Sequence, residues 1–196
     1  MMSMNLVRTR WRLLALFGLF SLAGCHVPDH VVVHVSRQQI QDQVDTRFPM
    51  EKRELICKAK FTDPVVRLMP DTNGVGVDIK ARLEFARDAA IDGRGSFEGT
   101  LDYDPSLGQL YVRKIRLVDT HLESVPASIA PLVRGIGGMK TVDGLFREIC
   151  RAVPPHLADM KIGQLPDDWK GRTAKSVIRT VRVNGDGLDI EIGVPR

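Results

Sequence analysis

Three cysteines, five histidines and one glycine cluster are the residues of this 196-residue chain whose types or spacing could carry chemistry. Cys25 follows Leu22-Ala23-Gly24, where small Ala23 and Gly24 leave the backbone open to a peptidase, and its thiol can be acylated. His26, His30 and His34 stand four apart, the spacing that lines one face of a helix, but Pro28 and Val31-Val32-Val33 point to tether and strand. In a strand such residues are separated by about 13 Å, too far to share one zinc. His121 and His156 have no Cys, Asp or Glu at ligand spacing. Gly135-Ile136-Gly137-Gly138 follows no strand and lacks the third glycine and later acid of a dinucleotide loop, so close helix packing is the expected role. No Gly-x-Ser-x-Gly elbow occurs, and Gly95-Ser96 falls in a strand turn. Asp167-Asp168 precede a helical stretch and suit its N-terminal dipole. No catalytic residue, metal site or cofactor is expected, and the chain does not read as an enzyme.

Arg8, Arg10 and Arg12 precede an apolar run, Leu13 to Ala23, of eleven residues. A permanent anchor needs about 20, so this is signal-peptide length. Leu22-Ala23-Gly24-Cys25 looks like a bacterial lipobox. The resemblance implies a diacylglyceryl group on the Cys25 sulfur, cleavage before Cys25 and acylation of its new amine. Residues 1–24 are then the signal peptide, 25–29 the lipidated tether, and 30–196 a single domain. His26 stands where aspartate would mark inner-membrane retention, so the expected place is the outer membrane, facing the periplasm. The other two cysteines then lie in an oxidising compartment, where Cys57 and Cys150 form either a disulfide or two buried thiols that never meet.

The charge balance argues against nucleic acid. Of 28 basic residues three lie in the leader, leaving 25 against 24 acids, with no Lys/Arg run and 6% aromatics. That lacks the footprint that phosphate binding needs.

Val-rich His30 to Val35 predicts a strand, and Ser36 with Gln39 has capping-box spacing. Ile40, Val44 and Phe48 then mark a helix of about three turns, halted by Pro49. From Glu54 the period becomes two, with Leu55, Cys57, Ala59 and Phe61 on the core side. The clearest strand has Val75, Val77, Ile79, Ala81, Leu83 and Phe85 on one side, and Gly76, Asp78, Lys80, Arg82 and Glu84 on the other. Such alternation means antiparallel sheet with one wet face. Strands at Ser96 to Tyr103 and Gln109 to Val118 complete a four-strand meander. Ile129, Leu132, Val133, Ile136, Met139, Val142, Leu145, Phe146, Ile149 and Val153 then form one stripe of a helix of up to about 27 residues, starting near Pro126 and halted by Pro154-Pro155. Gly135, Gly137, Gly138 and Gly144 imply a kink or a close neighbour within it. A short strand near Met160 to Leu165, a helical stretch from Asp168 to about Ile178, and a hairpin across Asn184-Gly185-Asp186-Gly187 close the chain.

The expected class is α+β: a long, strongly curved antiparallel sheet wrapped around one long amphipathic helix, with a short N-terminal helix and a C-terminal helix-hairpin. This layout resembles the YceB-like bacterial lipoproteins, a family that carried a domain-of-unknown-function label. The shared features are the early Leu22-Ala23-Gly24-Cys25, the strand and helix at Val31 to Phe48, Ile115-Arg116-Leu117-Val118-Asp119-Thr120 in the meander, the long helix, and the closing Leu188-Asp189-Ile190-Glu191-Ile192. The resemblance implies a fold like the tubular lipid-binding proteins and a role in carrying or sensing a lipid-like molecule. With the facing apolar stripes, it suggests a groove lined by Val77, Ile79, Leu83, Phe85, Ile136, Met139 and Phe146 for an apolar ligand. The rival expectation is an envelope scaffold or assembly accessory, with a filled core and a protein partner. A cavity of several hundred cubic ångströms separates the two.

Membrane attachment through Cys25 is directly checkable. Cys25→Ser is expected to release the protein from the membrane fraction and abolish fatty-acid labelling; a mutant still tightly bound would refute the anchor.

Overall fold

The computed structural model describes residues 30–54, 57–85, 89–104, 106–135, 137–164 and 178–193. The leader, tether and Cys25, Ile136, and the helical stretch expected from Asp168 lie outside these residues. Strand β1 (His30–Ser36) runs into α1 (Arg37–Asp45) through the anticipated capping box: Gln39 N–H donates to Ser36 Oγ at 3.3 Å, and Gln39 Oε1 accepts from Ser36 N–H at 2.8 Å. Ile40 and Val44 are the buried stripe of α1.

Six antiparallel strands then form a strongly curled half-barrel in the order β2-β3-β4-β5-β6-β7. They are β2 (Met50–Arg53), β3 (Cys57–Met69), β4 (Gly74–Phe85), β5 (Ala90–Asp104), β6 (Gln109–Ser124) and β7 (Met160–Gln164). The alternation along β4 holds: Val75, Val77, Ile79, Ala81 and Leu83 are buried, while Lys80 and Arg82 face water. Cross-strand ion pairs cover the wet face, among them Lys80 with Asp63 at 3.0 Å, Arg82 with Asp92 at 3.0 Å and Arg116 with Glu98 at 3.1 Å. Strands β3, β5 and β6 run well past the lengths that the sequence pattern suggests. Register shifts, such as that between Thr62 and Val65, break the period of two without ending the pairing.

A second sheet, in the order β1-β9-β8, joins β1 to the closing hairpin of β8 (Ile178–Val183) and β9 (Gly187–Gly193). Two side-chain carboxamides fasten these parts by imitating a strand. Gln41 on α1 donates to the Pro64 carbonyl at 2.7 Å and accepts from Val66 N–H at 2.9 Å, sealing the edge of β3 where β2 has ended. Asn73, in the left-handed conformation at the β3–β4 turn, donates to the Val181 carbonyl at 3.0 Å and accepts from Val183 N–H at 2.7 Å. Each amide satisfies one backbone donor and one acceptor that would otherwise be open.

The single long helix expected from Pro126 to Val153 is instead a series of short pieces. A 3-10 turn at Ala127–Ile129 leads into α2 (Ala130–Gly135), followed by α3 (Met139–Cys150) and α4 (Val153–Leu157). Gly137 and Gly138 take φ of 105° and 91°, which no helix interior allows, and Gly138 N–H closes onto the Val133 carbonyl at 2.7 Å. Pro154-Pro155 open α4 instead of stopping a helix, since the first turn needs no N–H donors. The apolar stripe survives the breaks: Ile129, Val133, Val142, Phe146, Ile149 and Val153 are buried.

Glycines decide how α3 meets the sheet. Gly93, Gly95 and Gly99 alternate with Phe97 on the buried face of β5. A Cβ on Gly93 would lie 2.6 Å from Phe146 Cζ and 2.6 Å from the His121 carbonyl, and one on Gly95 would lie 3.4 Å from Cys150 Sγ. The helix therefore rests on bare backbone. Gly144, on the other side of α3, would meet nothing within 4 Å. Gly93→Ala is accordingly expected to destabilise by about 1–3 kcal/mol through overpacking, whereas Gly144→Ala gains up to about 1 kcal/mol of helix propensity. Urea unfolding of the two variants tests the contrast, and equal effects would refute it.

Candidate functional site

The sheet and α3 do not enclose the expected groove. Val77, Ile79, Leu83 and Phe146 are all buried in the core, and the void beside Val77, Phe97, Val112 and Leu157 measures only about 10 Å³. Phe85 is half-buried at the end of β4 and packs against that core. The missing side chains of Gly93 and Gly95 let Phe146 and Cys150 occupy the space that a ligand would need.

Open space lies instead on the flank of α3. A cleft of about 640 Å³ runs between β6, through Thr120, His121 and Leu122, and the solvent side of α3, through Met139, Asp143, Gly144 and Arg147. Helical spacing assembles the α3 wall, because residues 139, 143 and 147 follow one another at single-turn intervals. Met139 is 47% exposed, the one expected groove residue that reaches this cleft. Leu122 pairs with Gly93 and is half-buried opposite. Asp143 and Arg147 are exposed, and neither makes an ion pair or hydrogen bond among the described residues. Charges four apart on the polar side of an amphipathic helix read from sequence as an ordinary solvated face, so Asp143 and Arg147 carry no local signal of a site.

A second cleft, of about 440 Å³, lies between Arg113, Lys114 and Ile115 of β6 and Pro154, Pro155, Ala158 and Asp159. One of its two cations, Arg113, is already engaged. Arg113 pairs with Asp102 at 2.5 Å and Asp159 at 3.4 Å and lies 5.4 Å from the centre of the Tyr111 ring.

Two of the histidines serve structure. His34 Nδ1 is 2.8 Å from Asp189 Oδ1, and Asn184 donates to Asp189 Oδ2 at 2.7 Å; these two bonds hold the Asp189 carboxyl below its ordinary pKa. His156 Nε2 contacts the Arg47 carbonyl at 2.7 Å, with its ring edge-on to Phe48. Among the described residues no group of three His, Cys, Asp or Glu could hold a metal ion, and no helix is long and apolar enough to cross a membrane.

Cys57 and Cys150 are free, buried thiols, so the bridge considered between them is not formed. Both face the interior, but at different levels along the strands. Cys57 pairs with Phe85 on β4, while Cys150 lies against Gly95, whose partner is Ile79. Six residues of strand separate Phe85 from Ile79, about 20 Å, against the ~7 Å limit between Cα atoms for a disulfide. Burial pushes the Cys150 thiol up to about 12 and raises Cys57 as well.

A family model described as "Protein of unknown function (DUF1439)" matches residues 35–142, from the end of β1 into α3. No curated protein matches the chain.

The thiol geometry sets an expected outcome. Full-length Cys25→Ser protein should leave both remaining thiols unreactive toward a thiol reagent when native and release two on unfolding without reductant. Fewer than two would reveal a disulfide.

Proposed function

Because the chain belongs to the DUF1439 family, whose description assigns no activity, we propose from its own geometry that it is an envelope binding module, tethered to the bacterial outer membrane through lipidated Cys25, that takes an apolar or lipid-like ligand in the β6–α3 cleft. The single observation carrying this reading is an open concavity of about 640 Å³ next to a filled core, with apolar Leu122 and Met139 beside Asp143 and Arg147, whose side chains have no partner among the described residues. Ligand sites are commonly clefts of about 300–1,000 Å³ with a few placed polar groups on an apolar lining. The layout shared with the YceB-like lipoproteins supports the same reading, as does the early Leu22-Ala23-Gly24-Cys25. Relative to the groove expected within the sheet, the site moves to the flank of the helix.

One observation favours a second reading, a scaffold or assembly accessory that binds another envelope protein. Strand β7 pairs only with Gln109–Val112, so the outer edge of β6 from Arg113 onward has no strand partner among the described residues. An open edge of this kind can accept a strand from another chain.

Gly144→Phe separates the two. A side chain at this position enters open space, so the variant should melt like the parent while blocking the cleft. Binding of a neutral naphthylamine dye that fluoresces in apolar sites is expected to weaken about ten-fold or more. Unchanged dye binding, or none by the parent, would overturn the ligand reading.

A further inference from the structure

The charges at the β6–α3 cleft narrow the ligand further, on the premise that the cleft takes an amphiphile. We propose that the ligand is a single-chain amphiphile with a zwitterionic head, its anionic group held by Arg147 and its ammonium by Asp143, with the chain lying against Met139 and Leu122.

Asp143 and Arg147 form no ion pair with each other. An acid four residues before a base on a helix is the favourable order for a side-chain ion pair. Elsewhere surface charges do pair: Arg82 with Asp92 at 3.0 Å and Arg116 with Glu98 at 3.1 Å across neighbouring strands, and Arg151, just past the end of α3, with Glu148 three residues before it at 2.7 Å. Asp143 and Arg147 share one wall of the cleft and stay apart, each turned to the same open space.

Two opposite charges in one small cleft discriminate among ligands. A purely anionic head that reached Arg147 would also meet the Asp143 carboxylate, and a purely cationic head would meet Arg147. A head carrying both charges satisfies both walls, and each charge-assisted bond then forms without a repulsive neighbour. His121 on the β6 rim adds one further polar group, and Thr120 a hydroxyl.

The apolar part has its own place. Met139, 47% exposed, extends the α3 wall one turn before Asp143, and half-buried Leu122 faces it from β6. Methionine is suited to an adaptable chain contact because its thioether is flexible and polarizable. A cleft of about 640 Å³ suits one chain with its head, within the usual range for a ligand of drug-like size.

Titration calorimetry of the full chain bearing Cys25→Ser tests this, with three lipids of equal chain length: lysophosphatidylethanolamine, lysophosphatidylglycerol and a monoacylglycerol. The first carries both charges, the second only the anion, the third neither. The ethanolamine lipid is expected to bind about ten-fold more tightly than either other, the scale of one charge-assisted hydrogen bond. Arg147→Gln and Asp143→Asn, both exposed changes, should each erase that preference while leaving the melting temperature unchanged. Equal affinity for all three, or tightest binding of the glycerol lipid, overturns the zwitterionic head and leaves the cleft as a lipid site. Failure of all three to bind overturns the cleft reading as well.

Discussion

The contact between Phe146 and the bare backbone of Gly93 governs the rest of the molecule. A ring seated where a Cβ would lie 2.6 Å away brings α3 close to the sheet, with a side chain of the helix set directly on strand backbone. The same helix turn then places Cys150 against Gly95, and the buried face of β5 becomes a floor on which the helix cannot shift without losing contacts. The closely wrapped helix fills the space beside β5, and the void next to Val77 and Phe97 measures only about 10 Å³. The apolar stripes of sheet and helix are, among the described residues, largely used in packing. Open space of several hundred cubic ångströms lies instead where α3 turns away from the sheet.

The edges of the strands pose a separate problem, solved by two carboxamides. Strand β2 covers only Lys58 to Phe61 of β3, and Gln41 takes over at Pro64 and Val66 with one donor and one acceptor. Asn73 does the same for Val181 and Val183 of β8, which joins the three-stranded sheet to the half-barrel across the turn that leads into β4. The left-handed backbone at Asn73 explains the residue type, because Asn tolerates that conformation and its short side chain reaches the neighbouring strand. Two sheets and a helix are thus tied by side chains that act as one-residue strands.

Legibility in the sequence follows from the range of the interaction. Strand β4 could be read in full because each residue reports its own face, and α1 could be read because Ser36 and Gln39 close a local ring of hydrogen bonds. The four-residue β2 carries too little pattern to be seen, and β3 was cut short because the shift between Thr62 and Val65 reverses the alternation. The expected stripe holds at Ile129, Val133, Val142, Phe146, Ile149 and Val153 and fails at exposed Met139, and a stripe cannot tell one helix from three that share a face. The positive φ at Gly137 and Gly138 parts α2 from α3, and the turn at Arg151 and Ala152 parts α3 from α4. Cys57 and Cys150 show the same limit: the sequence places both on inward faces, but does not say that their neighbours on β4, Phe85 and Ile79, stand six residues apart. Gln41, Asn73, Asp143 and Arg147 act through distant partners or through the lack of one, and nothing local marks them.

Rigidity of the buried face is what gives the open face its meaning. Val142, Phe146, Ile149 and Cys150 are locked against the sheet, so the opposite side of α3 presents Met139, Asp143 and Arg147 at fixed spacing toward β6. Leu122 is held in turn by its pairing with Gly93, the same residue that receives Phe146. Both walls of the cleft are therefore referenced to one position on β5. A site built on regular elements with a packed supporting shell keeps its geometry without a ligand, and little ordering cost then falls on binding. The glycine that excludes a ligand from the interior is thereby the residue that aligns the cleft outside it.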